Sequence, residues 1–199
     1  MAKTKKVGPR PIRLGRKKII REISKSQSRE ISDLLSSYKK ALSILKQYDD
    51  GNLRRQKKGK AKFVLKTEEC RQIVKELKKK LADKKDKRTG SLFGQEYEGK
   101  FEGIIKGLYQ TYAGKEFYAS LEEKAAHLLY FAVKDHPFVD GNKRIAAFLF
   151  VYFLDRNNYS RRASGEMKIS ENALVALVLL LAISNPKEKE IMIDIITNL

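Results

Sequence analysis

The run Ile-Ala-Ala-Phe-Leu-Phe-Val-Tyr-Phe-Leu at residues 145–154 constrains this chain more than any other stretch. Ten uncharged residues leave no helical face suited to water, so a helix built from them must be packed on several sides. The run is also well short of the ~18 residues that a membrane span needs, as is the second apolar run at 173–183. The first belongs in a folded interior, and the second reads as another apolar helix. A chain of 199 residues can enclose one sizeable core and carry an appendage.

Directly before the first run stands His-Pro-Phe-Val-Asp-Gly-Asn-Lys-Arg, residues 136–144. A polar loop opening a helix offers free N–H groups and the positive end of a dipole, which is an anion site. Lys143 and Arg144 add a point charge and a planar fork suited to phosphate. Asp140 is a hard oxygen ligand of the kind that Mg²⁺ takes when phosphates complete its shell. His136 is suited to accept a proton near neutral pH. A base, a metal ligand and a phosphate cradle thus fall within one short loop, with Phe138 as the apolar anchor that holds it.

The remaining pattern is helical. Apolar residues at Ile31, Leu34, Leu35, Tyr38, Leu42, Leu45 and Tyr48 keep helical spacing, which Asp49-Asp50-Gly51-Asn52 breaks. Residues 53–66 read as a very basic loop. Thr67 reads as an N-cap, followed by the stripe Ile73, Val74, Leu77, Leu81. Gly90, Gly94 and Gly99 mark a joint, and 101–108 a short helix. Residues 109–118 alternate aromatic and polar around Ala113-Gly114, which predicts a hairpin. Ser120 and Glu123 form a capping box for a helix ending near Lys134, with His127 at its core or boundary. A further helix is expected at 171–183, and Asn185, Pro186 and Glu188 open the last one. Long periodic helices with one hairpin predict an all-α fold.

Charge divides the chain. Residues 1–90 hold 30 Lys and Arg against 10 Asp and Glu; residues 91–199 hold 13 against 14. The expected organisation is a basic, disordered tail at 1–30, a basic helical region at 31–90 and a core at 91–199. The excess charge suits nucleic acid, a ribosome or an acidic protein, and equally a solubilising tail. No aromatics interleave with the Lys-rich run at 78–88, so a solvated helix face is the expected reading there. Cys70 stands alone, which excludes an internal disulfide and fits a reducing, cytoplasmic setting. No apolar run follows the N-terminal cations, so no secretory signal is expected.

The loop at 136–144 resembles the Fic/Doc (Fido) signature, in which a His, an aromatic, an acidic residue and Gly-Asn-Gly or Gly-Asn-Lys precede an Arg. His136, Phe138, Asp140, Gly141, Asn142, Lys143 and Arg144 fill its slots. Residues 108–118 and 120–138 resemble the segments before the motif in Doc-like, death-on-curing proteins. Residues 37–53 and 91–99 resemble the Fic-bearing part of the bacterial RhuM family. The resemblance implies a Fic-type helical bundle around the central apolar helix, with a small β-hairpin flap. It implies a transferase moving AMP from ATP to a Ser, Thr or Tyr hydroxyl of a protein. His136 would be the base, Asp140 the Mg²⁺ ligand, and Gly141, Asn142, Lys143 and Arg144 the phosphate site. Tyr109, Gln110, Thr111, Tyr112, Ala113 and Gly114 would form the flap that pairs with the target.

Two positions depart from AMP-transferring members, which usually have Gly in place of Lys143 and a second Arg in place of Ala147. Both departures resemble Doc, which transfers the terminal phosphate, whereas Gly141 resembles Fic. Ala147 also removes the partner of the inhibitory Glu of autoinhibited members. Glu188 is therefore expected to cap a helix rather than inhibit, leaving control to a separate antitoxin-like partner. A reading of another class is a nucleic-acid or ribosome binding protein on a Fic scaffold without activity.

Overall fold

The computed structural model describes residues 25–83 and 90–199, the side chains of 25–27 and 83 excepted. Among these residues the helices are α1 (Lys25–Asp49), α2 (Thr67–Asp83), α3 (Lys100–Gly107), α4 (Leu121–Lys134), α5 (Asn142–Arg156), α6 (Glu171–Ile183) and α7 (Lys189–Thr197). One antiparallel hairpin, β1 (Thr111–Tyr112) and β2 (Lys115–Glu116), completes the fold, so it is all-α with a small β-hairpin. No described helix is long and apolar enough to cross a membrane. Most of the expected tail at 1–30, and residues 84–88 of the Lys-rich run, lie outside the described residues.

The chain forms two compact units, Met1–Asp49 and Asp50–Leu199. In the first, the described part of α1, Lys25–Asp49, extends beyond its apolar stripe. Every member of that stripe from Ile31 to Tyr48 is exposed. The second unit takes in residues that the charge pattern assigns to a separate region at 31–90. The reason is packing: Leu65, Cys70 and Val74 are buried in one cluster with Phe138 and Ile145. Burial also pushes the Cys70 thiol up to about 12, so it is unreactive.

The centre of the unit is α4 with α5. The capping box predicted for α4 is present: Glu123 N donates to Ser120 Oγ, and Ser120 N to Glu123 Oε2, both at 3.2 Å. Only Phe131 and Lys134 of α4 escape full burial. It packs against α3, α5, α6 and α7, while α5 packs against α2, α4 and α6. Within the apolar run, Phe148 alone is largely exposed.

His127 sits inside α4, stacked on Tyr118 with ring centroids 3.8 Å apart. Its Nδ1 lies 2.8 Å from Glu123 O. Burial drives its pKa down to about 4 from 6.5. The folded protein therefore disfavours the proton that the unfolded chain accepts below pH ~6.5. The neutral ring's contribution is complete above that pH and lost as pH falls towards 4, by up to ~3 kcal/mol. Chemical denaturation at pH 7 and pH 5 should show the loss, and His127→Gln should remove most of it.

Candidate active site

The motif loop begins where α4 ends. His136 takes a left-handed conformation (φ 46°), unusual for a residue with a Cβ and common at functional sites. Its Nδ1 lies 2.9 Å from Lys134 O, which can only accept, so Nδ1 carries a proton and in the neutral ring the lone pair is on Nε2. The side chain is exposed. This is the tautomer that a base acting through Nε2 requires.

Residues 93–97 hold the loop from outside. Gly94 N donates to Asp140 O (3.0 Å), Val139 N to Gln95 O (2.8 Å) and Tyr97 N to Pro137 O (2.9 Å). These bonds make isolated bridges between Phe93 and Asp140 and between Glu96 and Phe138. Arg71 on α2 grips Glu96 (Nε–Oε1 3.0 Å) and also pairs with Glu68, so the brace is tied to α2. Phe138 is buried with its ring 4.8 Å from Phe101 of α3.

Asn142 closes the loop on itself. Its Oδ1 accepts from Phe138 N (2.9 Å) and its Nδ2 donates to Phe138 O (2.7 Å). Its side chain is thus a clamp, so any part in an anion site would fall to its backbone N–H in the first turn of α5. Asn142→Ala should cost ~1–3 kcal/mol, read as a lower melting temperature together with lost activity. Gly141 is the N-cap residue of α5 at φ 89°. A Cβ there would stand 2.5 Å from Cδ2 of the buried Phe93. Arg144 stacks on that ring, its Cζ 4.6 Å from the centroid.

His136, Val139, Asp140, Gly141, Asn142, Lys143 and Arg144 all line one open cleft of about 300 Å³. Asp140 Oδ1 accepts from Gly141 N (2.6 Å), and Arg144 Nη2 approaches Oδ2 at 3.4 Å. No cluster of three His, Cys, Asp or Glu that could hold a metal occurs among the described residues. A cation at Asp140 would draw its other ligands from phosphates and water. A half-exposed carboxylate with one oxygen in only a long contact fits that arrangement.

The hairpin carries Ala113 (φ 49°) and Gly114 (φ 75°) at its turn, the left-handed pair that a two-residue loop needs. Residues 111–117 are exposed throughout. Thr111 and Tyr112 lie in β1, and Gln110 O accepts from Phe117 N at 3.0 Å. Tyr109 turns the other way: its hydroxyl accepts from Leu65 N at 2.8 Å, and burial pushes its pKa up to about 12.

Lys124 fixes the hairpin's base. Buried in α4, it pairs with Glu116 of β2 (2.8 Å), donates to Tyr118 O and lies 5.7 Å from the Tyr109 ring centroid. Sequence patterning passed over Lys124, Phe93 and the 93–97 brace. A signal for Lys124 existed: it falls between Leu121 and Leu128 on an apolar helix face, where a charge must have a partner.

A family model described as the Fic/DOC family matches residues 19–154 of this chain. The chain belongs to the Fic/DOC family. No curated protein and no solved structure gives a significant match. Fic/DOC membership supports a Fic-type transferase, and the matched span includes the loop that lines the cleft. Among autoinhibited Fic proteins a glutamate reaches the motif, but here Glu188 Oε2 accepts from Asn185 N at 2.8 Å at the start of the last helical segment. Glu188→Gly should therefore leave transfer activity within twofold while lowering the melting temperature. A sharp rise in activity would make Glu188 an inhibitor.

Proposed function

We propose that this Fic/DOC protein transfers AMP from ATP to a hydroxyl side chain of a protein target. The carrying observation is that His136, its Nδ1 proton held by Lys134 O, lines the same cleft as Asp140, Lys143 and Arg144. His136 Nε2 takes the hydroxyl proton as that oxygen attacks the α-phosphorus. The bond to the departing pyrophosphate breaks, and the target leaves as an AMP ester. Asp140 is the residue suited to hold Mg²⁺, which would neutralise phosphate charge. N–H groups of the first turn of α5, with Lys143 and Arg144, face the anionic oxygens. The exposed edges of β1 and β2 suit an extended target segment added by backbone pairing. With Glu188 engaged in capping, control falls to a separate antitoxin-like partner.

A second reading, transfer of the terminal phosphate, is favoured by two specific residues. Lys143 puts a cation on the cleft wall, and Ala147 on α5 offers no second guanidinium. Cell lysate incubated with ATP labelled on the α- or the γ-phosphate separates the two. Label from α on a protein band, lost with His136→Ala, supports AMP transfer. Label from γ alone makes the chain a kinase, and label from neither overturns both readings.

A further inference from the structure

Residues 53–66 hold seven Lys and Arg and no carboxylate, and the structure turns this run into a strap of defined conformation. Its backbone is clipped to four other parts of the unit. Gln56 N donates to Thr197 Oγ1 (3.2 Å), and Gly59 N to the buried Glu122 (2.9 Å). Lys62 N and Phe63 N share Asn157 Oδ1 (2.8 and 2.9 Å), and Leu65 N reaches Tyr109. Arg54 O accepts from Asn198 Nδ2 at 2.9 Å, and Leu121 N donates to Gly59 O at 2.8 Å.

Burial along the strap alternates. Gly59, Ala61, Phe63 and Leu65 turn inward, while Lys58, Lys60, Lys62, Val64 and Lys66 are exposed. Alternate residues of an extended chain stand about 6.6 Å apart, an interval similar to that of phosphates on an extended single strand. Nearby carboxylates are already engaged: Glu123 by Lys57 (3.0 Å), and Asp194 and Glu190 by Arg55 (2.8 and 2.6 Å). Asp155 accepts from Ser160 Oγ at 2.9 Å. Arg156 at the end of α5 lies over the Phe63 ring, its Cζ 4.8 Å from the centroid, and adds a cation beside the row.

We infer that the outer edge of this strap is a track for the sugar–phosphate backbone of a single-stranded nucleic acid. A merely solubilising run has no need of a clamped backbone, whereas cations carried on a clamped backbone meet a polyanion with only their side chains left to order. An acidic polypeptide fits less well, because it would need Asp or Glu at alternate positions, whereas every nucleotide of a single strand carries a phosphate. No aromatic ring stands among the exposed lysines, so binding is to phosphate and indifferent to base.

The test uses the full chain and a fluorescein-labelled oligouridylate of about 12 nucleotides, with anisotropy followed across KCl concentrations. Lys58→Gln, Lys60→Gln and Lys62→Gln together should reduce the slope of log Kd against log salt by about 2. They should also raise Kd at least tenfold at ~0.1 M salt. Lys75→Gln, Lys79→Gln and Lys80→Gln on α2 remove equal charge and should change Kd less than threefold. All six side chains are exposed, so melting temperatures should stay at that of the parent. Equal losses from both triple variants would reduce the strap to diffuse charge and overturn the inference. So would displacement of the RNA by polyglutamate at an equal charge concentration, which would make the partner an acidic protein. Neither outcome bears on His136, so this test and the labelling test fail separately.

Discussion

His136→Gly is expected to abolish transfer while leaving the melting temperature close to that of the parent. Removing a general base typically costs ~10²–10⁴-fold in rate. Stability behaves differently, because the exposed side chain makes one hydrogen bond to Lys134 O. Its φ of 46° costs a residue with a Cβ about 1–2 kcal/mol, which glycine does not incur. Glycine's greater freedom in the unfolded chain offsets roughly 0.5–1 kcal/mol of that gain. The net change is within ~1 kcal/mol, or about 2–4 °C for a chain of this size. Paired transfer assays and thermal melts check both halves. Retained activity would remove His136 from the chemistry, and a large drop in melting temperature would make it structural.

Gly141→Ala should have the largest effect on stability. The substitution strains a backbone at φ 89° and places a Cβ 2.5 Å from Cδ2 of Phe93. That ring cannot withdraw easily, being 1% exposed and capped by the Arg144 guanidinium. Overpacking and left-handed strain together should cost ~2–5 kcal/mol, read by chemical denaturation, with activity lost as Asp140 and Asn142 shift. Phe93→Leu should recover part of the loss when combined with Gly141→Ala, although alone it destabilises. A double-mutant cycle showing simple additivity would mean that the ring is not the obstacle.

Much of this arrangement was legible before the structure. The capping boxes at Ser120 and Asn185 are local, four-residue patterns, and both formed with the expected bonds. The hairpin turn followed from Ala113-Gly114, and the central helix from an apolar run with no polar face, whereas the second apolar run forms a helix, α6, that buries only Leu177, Val178 and Leu181. Thr67 proved to be the first residue of α2 rather than its cap, a shift of one position typical of helix ends. What sequence could not show was long-range. The 93–97 segment has neither helical nor alternating pattern, because its partner is a loop rather than a strand. The closing of the Asn142 side chain on Phe138 was also hidden, since an amide's choice between ligand and neighbouring backbone depends on loop shape. The inclusion of 50–83 in the main unit was hidden by surface lysines that outnumber the few residues, Leu65, Cys70 and Val74, that bury it.

The bracing of the nine-residue loop by residues 93–97, themselves tied to α2, limits how far the signature can be transplanted. Pasted between two helices of an unrelated bundle, the same letters would lack the external rail that sets the pitch of Asp140 and the aromatic plate under Arg144. A designer seeking a minimal portable version would have to carry the Phe93–Tyr97 rail along with it, a cassette in two pieces rather than one.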